Sequence, residues 1–512
     1  MSHLTLDGRS LTLADLEPFL RGEDVQLRLS PEARNRVVEA RDVVERAVLA
    51  NEVVYGLTTG FGKLRNVAIA NEDLGALQHN LIVSHCCGVG EALDEHVVRL
   101  VQLLRINMLA RGHSGVRIEL VDWLIDAFEK RFVPRVPSRG SVGASGDLAP
   151  LAHMAAAYLG EGEALVDGRR VPAAEGLRSA GLEPLVLTAK EGLALINGTE
   201  VMLALGLDAF SRACNVSRAM DAAAALSIEA LFGSLKPFDA RIAELKGHAG
   251  HAAAAANVRA CLADSAVLAS HADCDRVQDP YSLRCVPQVH GAVKSALAHI
   301  AEVLSHELNS VTDNPLIFPD TDEVISAGQF HGQPIAMALD YLSIALATVA
   351  NISERRVEQL VNPDLSRLPA FLTPKPGLNS GLMIAQVAAA ALASENKSLA
   401  HPASVDTIPT SANQEDHVSM GVTAAHKARA IVGNVERVLA IEILCGAQAR
   451  EFHREFEAGV GARALFETVR TRVTPLEADR YLATDIEAVL ELLTSEALVG
   501  AVEAVVGDLA AF

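Results

Sequence analysis

The strongest constraint on the fold is a series of long stretches with few helix-breaking residues. The longest covers residues 334–361, which is 28 residues with no internal Gly or Pro, against a mean helix length of about 11–12 residues. Over 290–308 the apolar residues recur at steps of three and four, which is typical of a helix with one buried face. Stretches at 382–400 and 424–450 continue the pattern. Several such helices in series predict a helical bundle that also buries surface between subunits.

The first 195 residues are more mixed, and helical stretches such as 97–110 alternate there with glycine-rich turns. Hydrophobic residues make up 50% of the chain but aromatic residues only 4%. The rest of the apolar content is mainly Ala, Leu and Val, and the first two are strong helix formers. A β-sandwich would need more aromatic and β-branched residues. We therefore predict an all-α fold with two domains, an N-terminal domain over 1–195 and an elongated helical bundle over 196–512.

Charge and cysteine usage exclude several classes of protein. The net charge is −20 without a run of Lys or Arg, so neither nucleic acid nor a membrane surface is an expected partner. No stretch approaches the roughly 18 apolar residues that a membrane span needs. The seven cysteines form no CxxC pair, so no metal site is predicted. An odd count without an apolar leader indicates reduced thiols and a cytoplasmic protein.

The densest glycine cluster, GSVGASGDLAP at 140–150, allows several interpretations. A hydrolase nucleophile elbow would need Gly at the position of Asp147. A phosphate-binding loop would need GK[ST], which is absent. A simple capping loop is also compatible, with Asp147 as the N-cap of a following helix and Pro150 in its first turn.

A further interpretation makes the same segment a source of an electrophile. In a tight turn, the amide nitrogen of Gly146 can attack the carbonyl carbon of Ala144, because glycine has no side chain to obstruct it. Loss of water and dehydration of Ser145 would then give a 4-methylidene-imidazol-5-one (MIO) ring. Side chains of proteins lack good electrophiles, so such chemistry is delegated to a cofactor. The N-terminus of the following helix would stabilise negative charge there.

The chain resembles the histidine, phenylalanine and tyrosine ammonia-lyases and the related aminomutases. The resemblance begins with ASGDLAPLAH at 144–153 and GEG at 160–162, and it covers about residues 50–425. It implies the MIO cofactor and an all-α, ammonia-lyase-like homotetramer with active sites shared among three subunits. The other matching motifs are YGLTTGFG at 55–62, LLRIN at 103–107, KEGLALINGT at 190–199, YSLRC at 281–285, PQVHG at 287–291, TDNP at 312–315, FHG at 330–332 and NQEDH at 413–417.

The resemblance implies a role for each of three catalytic residues. The electrophile that contains Ser145 would capture the substrate's amine, although attack by the substrate's ring stays an open alternative. Tyr55 is similar to the family's base for the β-proton. An ordinary phenol has a pKa of about 10 and is a poor base at pH 7, so this role needs a proton relay or a group that favours the phenolate. Tyr281 resembles a second tyrosine that assists proton handling.

Four residues are similar to the family's substrate-binding groups. Arg284 suits a carboxylate, since a guanidinium pairs with it through two hydrogen bonds, although a lone arginine is more often a surface ion-pair partner. Asn197 resembles the residue that hydrogen-bonds the cofactor or the amine. Phe330 would form a wall of the pocket, and Gln278 matches a polar pocket residue.

Substrate choice is predicted to depend on His85 and Glu415. A carboxylate at 415 can pair with an imidazole but not with a phenyl ring, and an unpaired buried carboxylate would disfavour phenylalanine or tyrosine. We therefore expect a histidine ammonia-lyase that produces trans-urocanate. A tyrosine ammonia-lyase or tyrosine 2,3-aminomutase is the alternative, because a histidine at 85 also serves tyrosine enzymes. A non-catalytic helical scaffold is a third. Thr58 and Gln329 depart from the asparagines of many histidine enzymes.

Overall fold

The computed structural model describes residues 2–272 and 276–512, which form two compact units. The first unit comprises the chain up to Asp208 together with Ala301–Leu339 and Pro402–His426. The second comprises Ala209–Ile300, Asp340–His401 and Lys427–Phe512. Both units are discontinuous in sequence, unlike the two contiguous domains, 1–195 and 196–512, that the sequence predicts.

The first unit holds many of the shorter helices, and its core begins with a well-capped one. The helix Pro31–Leu49 starts at Ser30, whose hydroxyl accepts the N–H of Ala33, and proline occupies its first turn. Its buried face meets Leu57, Leu74 and Ile317 in one hydrophobic cluster. The helices that lie wholly in this unit are Leu13–Leu20, Pro31–Leu49, Leu74–His85, Glu95–Ala110, Ile118–Glu129, Leu148–Tyr158, Ala173–Ser179 and Glu191–Ile196.

The strands of the first unit are short and form small sheets of two or three strands. Ser2–Leu6 pairs with Val25–Leu29 in parallel, and the other described pairs are antiparallel. Short 3-10 turns at Gly62–Leu64 and Ser411–Asn413 carry residues of the site described below. The remaining strands are Val89–Ala92 with Pro137–Arg139, Val133–Pro134 with Glu163–Val166 and Arg169–Pro172, and Leu316–Phe318 with Glu323–Ile325.

Long helices dominate the rest of the chain, as the apolar periodicity predicts. The four longest are Glu200–Ala230, Val286–Glu307, Gln333–Val361 and Gly421–Arg450. The predicted helices at 290–308, 334–361, 382–400, 424–450 and 97–110 are all present, each within a few residues of its expected ends. The other helices of the second unit are Ala240–Lys246, Ala249–Cys261, Ala266–Ala269, Tyr281–Arg284, Pro363–Ser366, Met383–Leu399, Val460–Arg470, Ala483–Thr494 and Ala497–Val506. The prediction of an all-α fold is confirmed.

One helix, Gln333–Val361, is long and apolar enough by composition to cross a membrane. However, 72% of its most apolar window is buried within the protein. Burial of this kind is what a core helix requires, since large apolar residues collect in protein interiors.

Candidate active site

A cavity of about 820 Å³ opens in the first unit around Ala144 and Ser145. Segments that are far apart in sequence meet there because the chain returns to this unit twice after residue 208. The cavity thus brings together seven of the predicted site residues, whether catalytic, cofactor-forming or substrate-binding: Tyr55, His85, Ala144, Ser145, Asn197, Phe330 and Glu415.

The turn at 144–146 is one that only glycine allows at its last position. Gly146 has a φ of +73°, and a Cβ there would lie 2.1 Å from the carbonyl oxygen of Gly198. The next residue, Asp147, donates its backbone N–H to that same oxygen at 2.7 Å. The turn is therefore held tightly against the backbone at residue 198.

Asp147 holds the turn in a way that the sequence alone does not indicate. It precedes the helix Leu148–Tyr158, as predicted, but its side chain makes no capping hydrogen bond to that helix. Its carboxylate instead accepts the N–H groups of Val201 and Met202, both at 2.9 Å, in the first turn of another helix. Burial raises the pKa of Asp147 to about 7, and the two N–H donors oppose that rise.

Two serines brace the same turn from opposite ends. The hydroxyl of Ser141 donates to the carbonyl oxygen of Gly146 at 3.0 Å. The hydroxyl of Ser419 donates to the carbonyl oxygen of Gly143 at 3.0 Å. Because backbone carbonyls on both sides of residues 144 and 145 are held, the turn has little freedom to open.

Glu415 is the only carboxylate that the structure places within hydrogen-bond distance of Ser145. The hydroxyl of Ser145 donates to Oε1 of Glu415 at 2.9 Å. The other oxygen, Oε2, accepts the hydroxyl of Thr410 at 2.7 Å. An acidic side chain is therefore aimed at the turn of residues 144–146.

Asn197 enters the cavity with its amide already oriented. Its Nδ2 donates to the carbonyl oxygen of Asn314 at 3.0 Å, so its own carboxamide oxygen is left as an acceptor. The buried guanidinium of Arg105 donates to the backbone oxygen of Asn197 at 2.6 Å and pairs with Glu200 at 2.7 Å. The guanidinium of Arg105 thus fixes the backbone segment that carries Asn197.

Tyr55 and His85 face the cavity from two other elements. The N–H of Gly62 donates to the phenol oxygen of Tyr55 at 3.3 Å. His85 ends the helix Leu74–His85, and its Nδ1 lies 2.7 Å from the carbonyl oxygen of Leu81. Because a carbonyl can only accept, this contact places a proton on Nδ1, and the tautomer with its proton there offers Nε2 as an acceptor.

Gln278, Tyr281 and Arg284 lie in the second unit and line a separate cavity of about 460 Å³. The guanidinium of Arg284 lies 4.6 Å from the centre of the Tyr281 ring. Its buried Nε has no hydrogen-bond partner among the described residues, and Tyr281 is 70% exposed. The structure of one chain therefore keeps these three residues together but does not include them in the lining of the first cavity.

Several lining residues had no role assigned from sequence. His331 and His417 both line the first cavity, with parallel rings whose centres are 5.7 Å apart. They stand in the FHG and NQEDH motifs, which is the signal that could have identified them. Conversely, Thr58 and Gln329 are not among the lining residues. The hydroxyl of Thr58 instead donates to the backbone oxygen of Glu52 and accepts the N–H of Val54. The threonine at position 58 therefore affects the loop and not the cavity wall.

Comparisons with known proteins agree over nearly the whole chain. The family described as "Aromatic amino acid lyase" matches residues 11–471. The histidine ammonia-lyase of Symbiobacterium thermophilum is 54% identical over 98% of this chain and 99% of its own length. That of Myxococcus xanthus is 50% identical over 98% of both chains. Among solved structures, a histidine ammonia-lyase from Trypanosoma cruzi gives a TM-score of 0.92 at 43% identity and covers 98% of this chain and 95% of its own. A tyrosine aminomutase from Streptomyces globisporus gives 0.93 at 36% identity, covering 98% of both.

Proposed function

The chain belongs to the aromatic amino acid lyase family, and on that premise we propose that it eliminates ammonia from L-histidine to give trans-urocanate. Full-length relatives at about half identity are histidine ammonia-lyases, whereas the tyrosine aminomutase is more distant at 36%. The observation that carries the choice of substrate is the carboxylate of Glu415 beside Ser145.

Glu415 favours histidine because an imidazole offers what a phenyl ring lacks. An imidazole N–H or imidazolium can pair with Oε1 of the carboxylate, while a phenyl ring would leave that oxygen without a partner. Removing a carboxylate from water without a partner is costly, and a site built to hydrogen-bond one substrate rejects an analogue that lacks the group. His85, at the end of the helix Leu74–His85, supplies an acceptor nitrogen to the same cavity.

Residues 144–146 fit the MIO group that the family implies. Gly146 adopts the left-handed conformation, and the oxygen of Gly198 leaves no room for a side chain there. Ser141, Ser419 and Asp147 hold the segment in place through the hydrogen bonds described above. When formed, the group supplies an electrophilic carbon for the substrate's amine, which no ordinary side chain offers.

Side chains that line the cavity would remove the proton and bind the substrate. The β-proton of the substrate is weakly acidic, so a base must be positioned on it. We assign this role to Tyr55, whose phenol oxygen receives the N–H of Gly62. The carboxamide oxygen of Asn197 accepts a hydrogen bond from the substrate's amine, since its NH₂ group is already engaged by Asn314. Phe330 contributes apolar surface that keeps water from the reacting atoms.

We propose that Gln278, Tyr281 and Arg284 complete the first cavity of a neighbouring subunit in a homotetramer with shared active sites. Their separate location in one chain and the unpartnered Nε of Arg284 support this. Arg284 would then pair with the substrate's carboxylate, and Tyr281 would assist proton handling. Exposed apolar residues on long helices of the second unit give such an assembly surface to bury: Tyr341, Ile344, Ile384 and Val387.

We also propose a cytoplasmic location with no nucleic acid or membrane partner. The six cysteines that the structure describes are not joined in disulfides, which suits a reducing compartment. The net charge of −20 is unfavourable for binding to anionic surfaces.

A screen with three amino acids tests the proposal. Purified protein is given L-histidine, L-tyrosine or L-phenylalanine, and urocanate absorbance and free ammonia are followed together. We expect urocanate and ammonia in equal amounts from histidine. Activity on tyrosine with no urocanate would refute the histidine assignment, and product without free ammonia would indicate an aminomutase. Intact mass, expected to be reduced by two waters relative to the sequence, tests the cofactor separately, and an unmodified mass with no turnover would favour a non-catalytic scaffold.

A further inference from the structure

The two oxygens of the Glu415 carboxylate have different partners. Oε1 accepts the hydroxyl of Ser145 at 2.9 Å. Oε2 accepts the hydroxyl of Thr410 at 2.7 Å. Glu415 lines the first cavity, whereas Thr410 is not among the lining residues. Thr410 therefore holds the carboxylate from behind, without access to a molecule in the cavity.

The backbone fixes Thr410 and Glu415 to each other as well. The N–H of Thr410 donates to the carbonyl oxygen of Glu415 at 2.9 Å, and the reverse bond measures 3.3 Å. The intervening residues Ser411, Ala412 and Asn413 have φ values of 51°, 53° and 62°. Residues with a Cβ avoid this left-handed region, and such turns persist where their surroundings determine them. A closed turn thus presents the threonine hydroxyl to the glutamate at a set distance.

The turn is also tied to the loop that carries Tyr55. The guanidinium of Arg65 donates to Oε1 of Gln414 at 2.6 Å, and Gln414 immediately precedes Glu415. The frame that holds Thr410 is therefore anchored at a second point, and its geometry does not depend on the Thr410 hydroxyl.

Formation of the electrophile would change the two partners unequally. Ser145 would lose its hydroxyl group together with one further proton, as water. Oε1 of Glu415 would then lose its hydrogen-bond partner. The hydroxyl of Thr410 takes no part in that step and would stay on Oε2. Since the terminal torsion of a glutamate side chain is broad, the remaining bond is what keeps Oε1 directed into the cavity.

We propose that Thr410 is a positioning residue that fixes the Glu415 carboxylate so that Oε1 receives the imidazole of the substrate. This inference rests on the proposed function, in which Glu415 recognises the histidine ring. It assigns part of the selectivity for histidine to a side chain that does not contact the substrate.

The test compares Thr410→Val, which removes the hydroxyl at nearly constant volume, with Thr410→Ser, which keeps it. The ring is bound equally well in the ground state and in the transition state. A loss of ring binding therefore raises KM and leaves kcat unchanged. We expect KM for L-histidine to rise by about tenfold or more in Thr410→Val, from the loss of one hydrogen bond to a charged acceptor. Thr410→Ser keeps the hydroxyl, so its KM should lie close to that of the unaltered chain. Thr410→Ala removes the same hydroxyl and replaces Thr410→Val if valine disturbs the turn.

Thr407→Val is the matched control, because its hydroxyl lies in the same segment but bonds the N–H of Val418 instead of Glu415. We expect it to change KM far less. An equal rise in Thr407→Val would attribute the effect to general loosening of the segment and would overturn the proposal. So would an unchanged KM in folded Thr410→Val.

A double-mutant cycle separates this proposal from the proposed function. In a Glu415→Ala background, Thr410→Val should have no further effect on KM, since the hydroxyl acts only through the carboxylate. Intact mass of each variant should show the same loss of two waters as the unaltered chain. If the unaltered protein does not convert histidine, the proposed function fails. If it does, and Glu415→Ala raises KM while Thr410→Val does not, the role of Thr410 alone is refuted.

Discussion

The Nζ of Lys190 lies 2.7 Å from Oδ2 of Asp313, and neither side chain is exposed to solvent. Oδ1 of Asp313 accepts the backbone N–H of Asn314 at 2.7 Å. The carbonyl of that same Asn314 holds the amide of Asn197 in the cavity. Burial lowers the pKa of Lys190, and the carboxylate of Asp313 opposes that change. A buried ion pair thus supports the peptide that orients Asn197, the side chain for which we propose a role in substrate binding.

Replacing Asp313 by Asn should destabilise the protein strongly, because the charge of Lys190 would stay buried without a counter-charge. We expect a loss of about 3–5 kcal/mol, measured as a shift in the urea denaturation midpoint. Asp322→Asn is the control, since Asp322 forms an ion pair with Arg46 at 2.6 Å in which both side chains are more than half exposed. That substitution should cost about 0–1 kcal/mol. Equal shifts would mean that the buried pair has no special role.

Ser145→Ala should lose nearly all turnover of histidine while remaining folded. Alanine cannot be dehydrated, so the proposed electrophile cannot form, and we expect the rate to fall by at least ~10³-fold. Intact mass should then lack the loss of two waters, whereas the exposed control Ser179→Ala should retain it. A Ser145→Ala protein with near-normal rates would contradict the assigned chemistry.

Tyr55→Phe should lower kcat with little change in thermal stability. It removes only the phenol oxygen that we assign as the base, and general base catalysis is typically worth about 10²–10⁴-fold. Tyr481, which is exposed, gives the matched Tyr→Phe control, and its variant should retain normal kcat. A normal kcat in Tyr55→Phe would assign proton removal to another residue.

Glu415→Ala should weaken the use of histidine far more than the binding of phenylalanine. The carboxylate contributes a hydrogen bond only to a ring that can donate one, so we expect kcat/KM for histidine to fall by roughly 10²-fold or more. The inhibition constant of L-phenylalanine, measured with the same variant, should change little or improve. Equal losses for both molecules would exclude Glu415 from ring recognition.

Glu307→Gln should make stability less dependent on pH. Burial raises the pKa of Glu307 to about 7, and the neighbouring carboxylate of Glu200 adds to the rise. Since the folded state then holds this proton more tightly than the unfolded state, stability falls as pH rises from about 4.5 toward 7. Glutamine does not ionise, so the variant lacks this pH-dependent contribution to stability. Its melting temperature should exceed that of the unaltered chain above pH 7 and approach it near pH 4. The exposed Glu302 provides the control, Glu302→Gln, and a parallel shift at every pH would contradict the assignment.

Local sequence determined the helices and the glycine that ends the turn of residues 144–146. The three- and four-residue spacing over 290–308 and the lack of breakers over 334–361 predicted helices that the structure contains as Val286–Glu307 and Gln333–Val361. The helical repeat is a property of neighbouring residues, so periodicity reveals it without tertiary information. The same holds for Gly146, because the sequence of the motif itself shows a residue without a side chain at this position.

The tertiary structure alone decided which of these residues meet. Asp147 could be placed before a helix from its sequence, but its carboxylate caps Val201 and Met202, more than fifty residues away. Thr410 stands outside every motif, and its contact with Glu415 appears only once the turn between them is folded. Tyr281 and Arg284 were predicted to belong to the active site, and only the structure shows that one chain places them in the lining of a second cavity. Contacts between distant segments depend on how whole helices pack, and no local pattern of residue types encodes that choice.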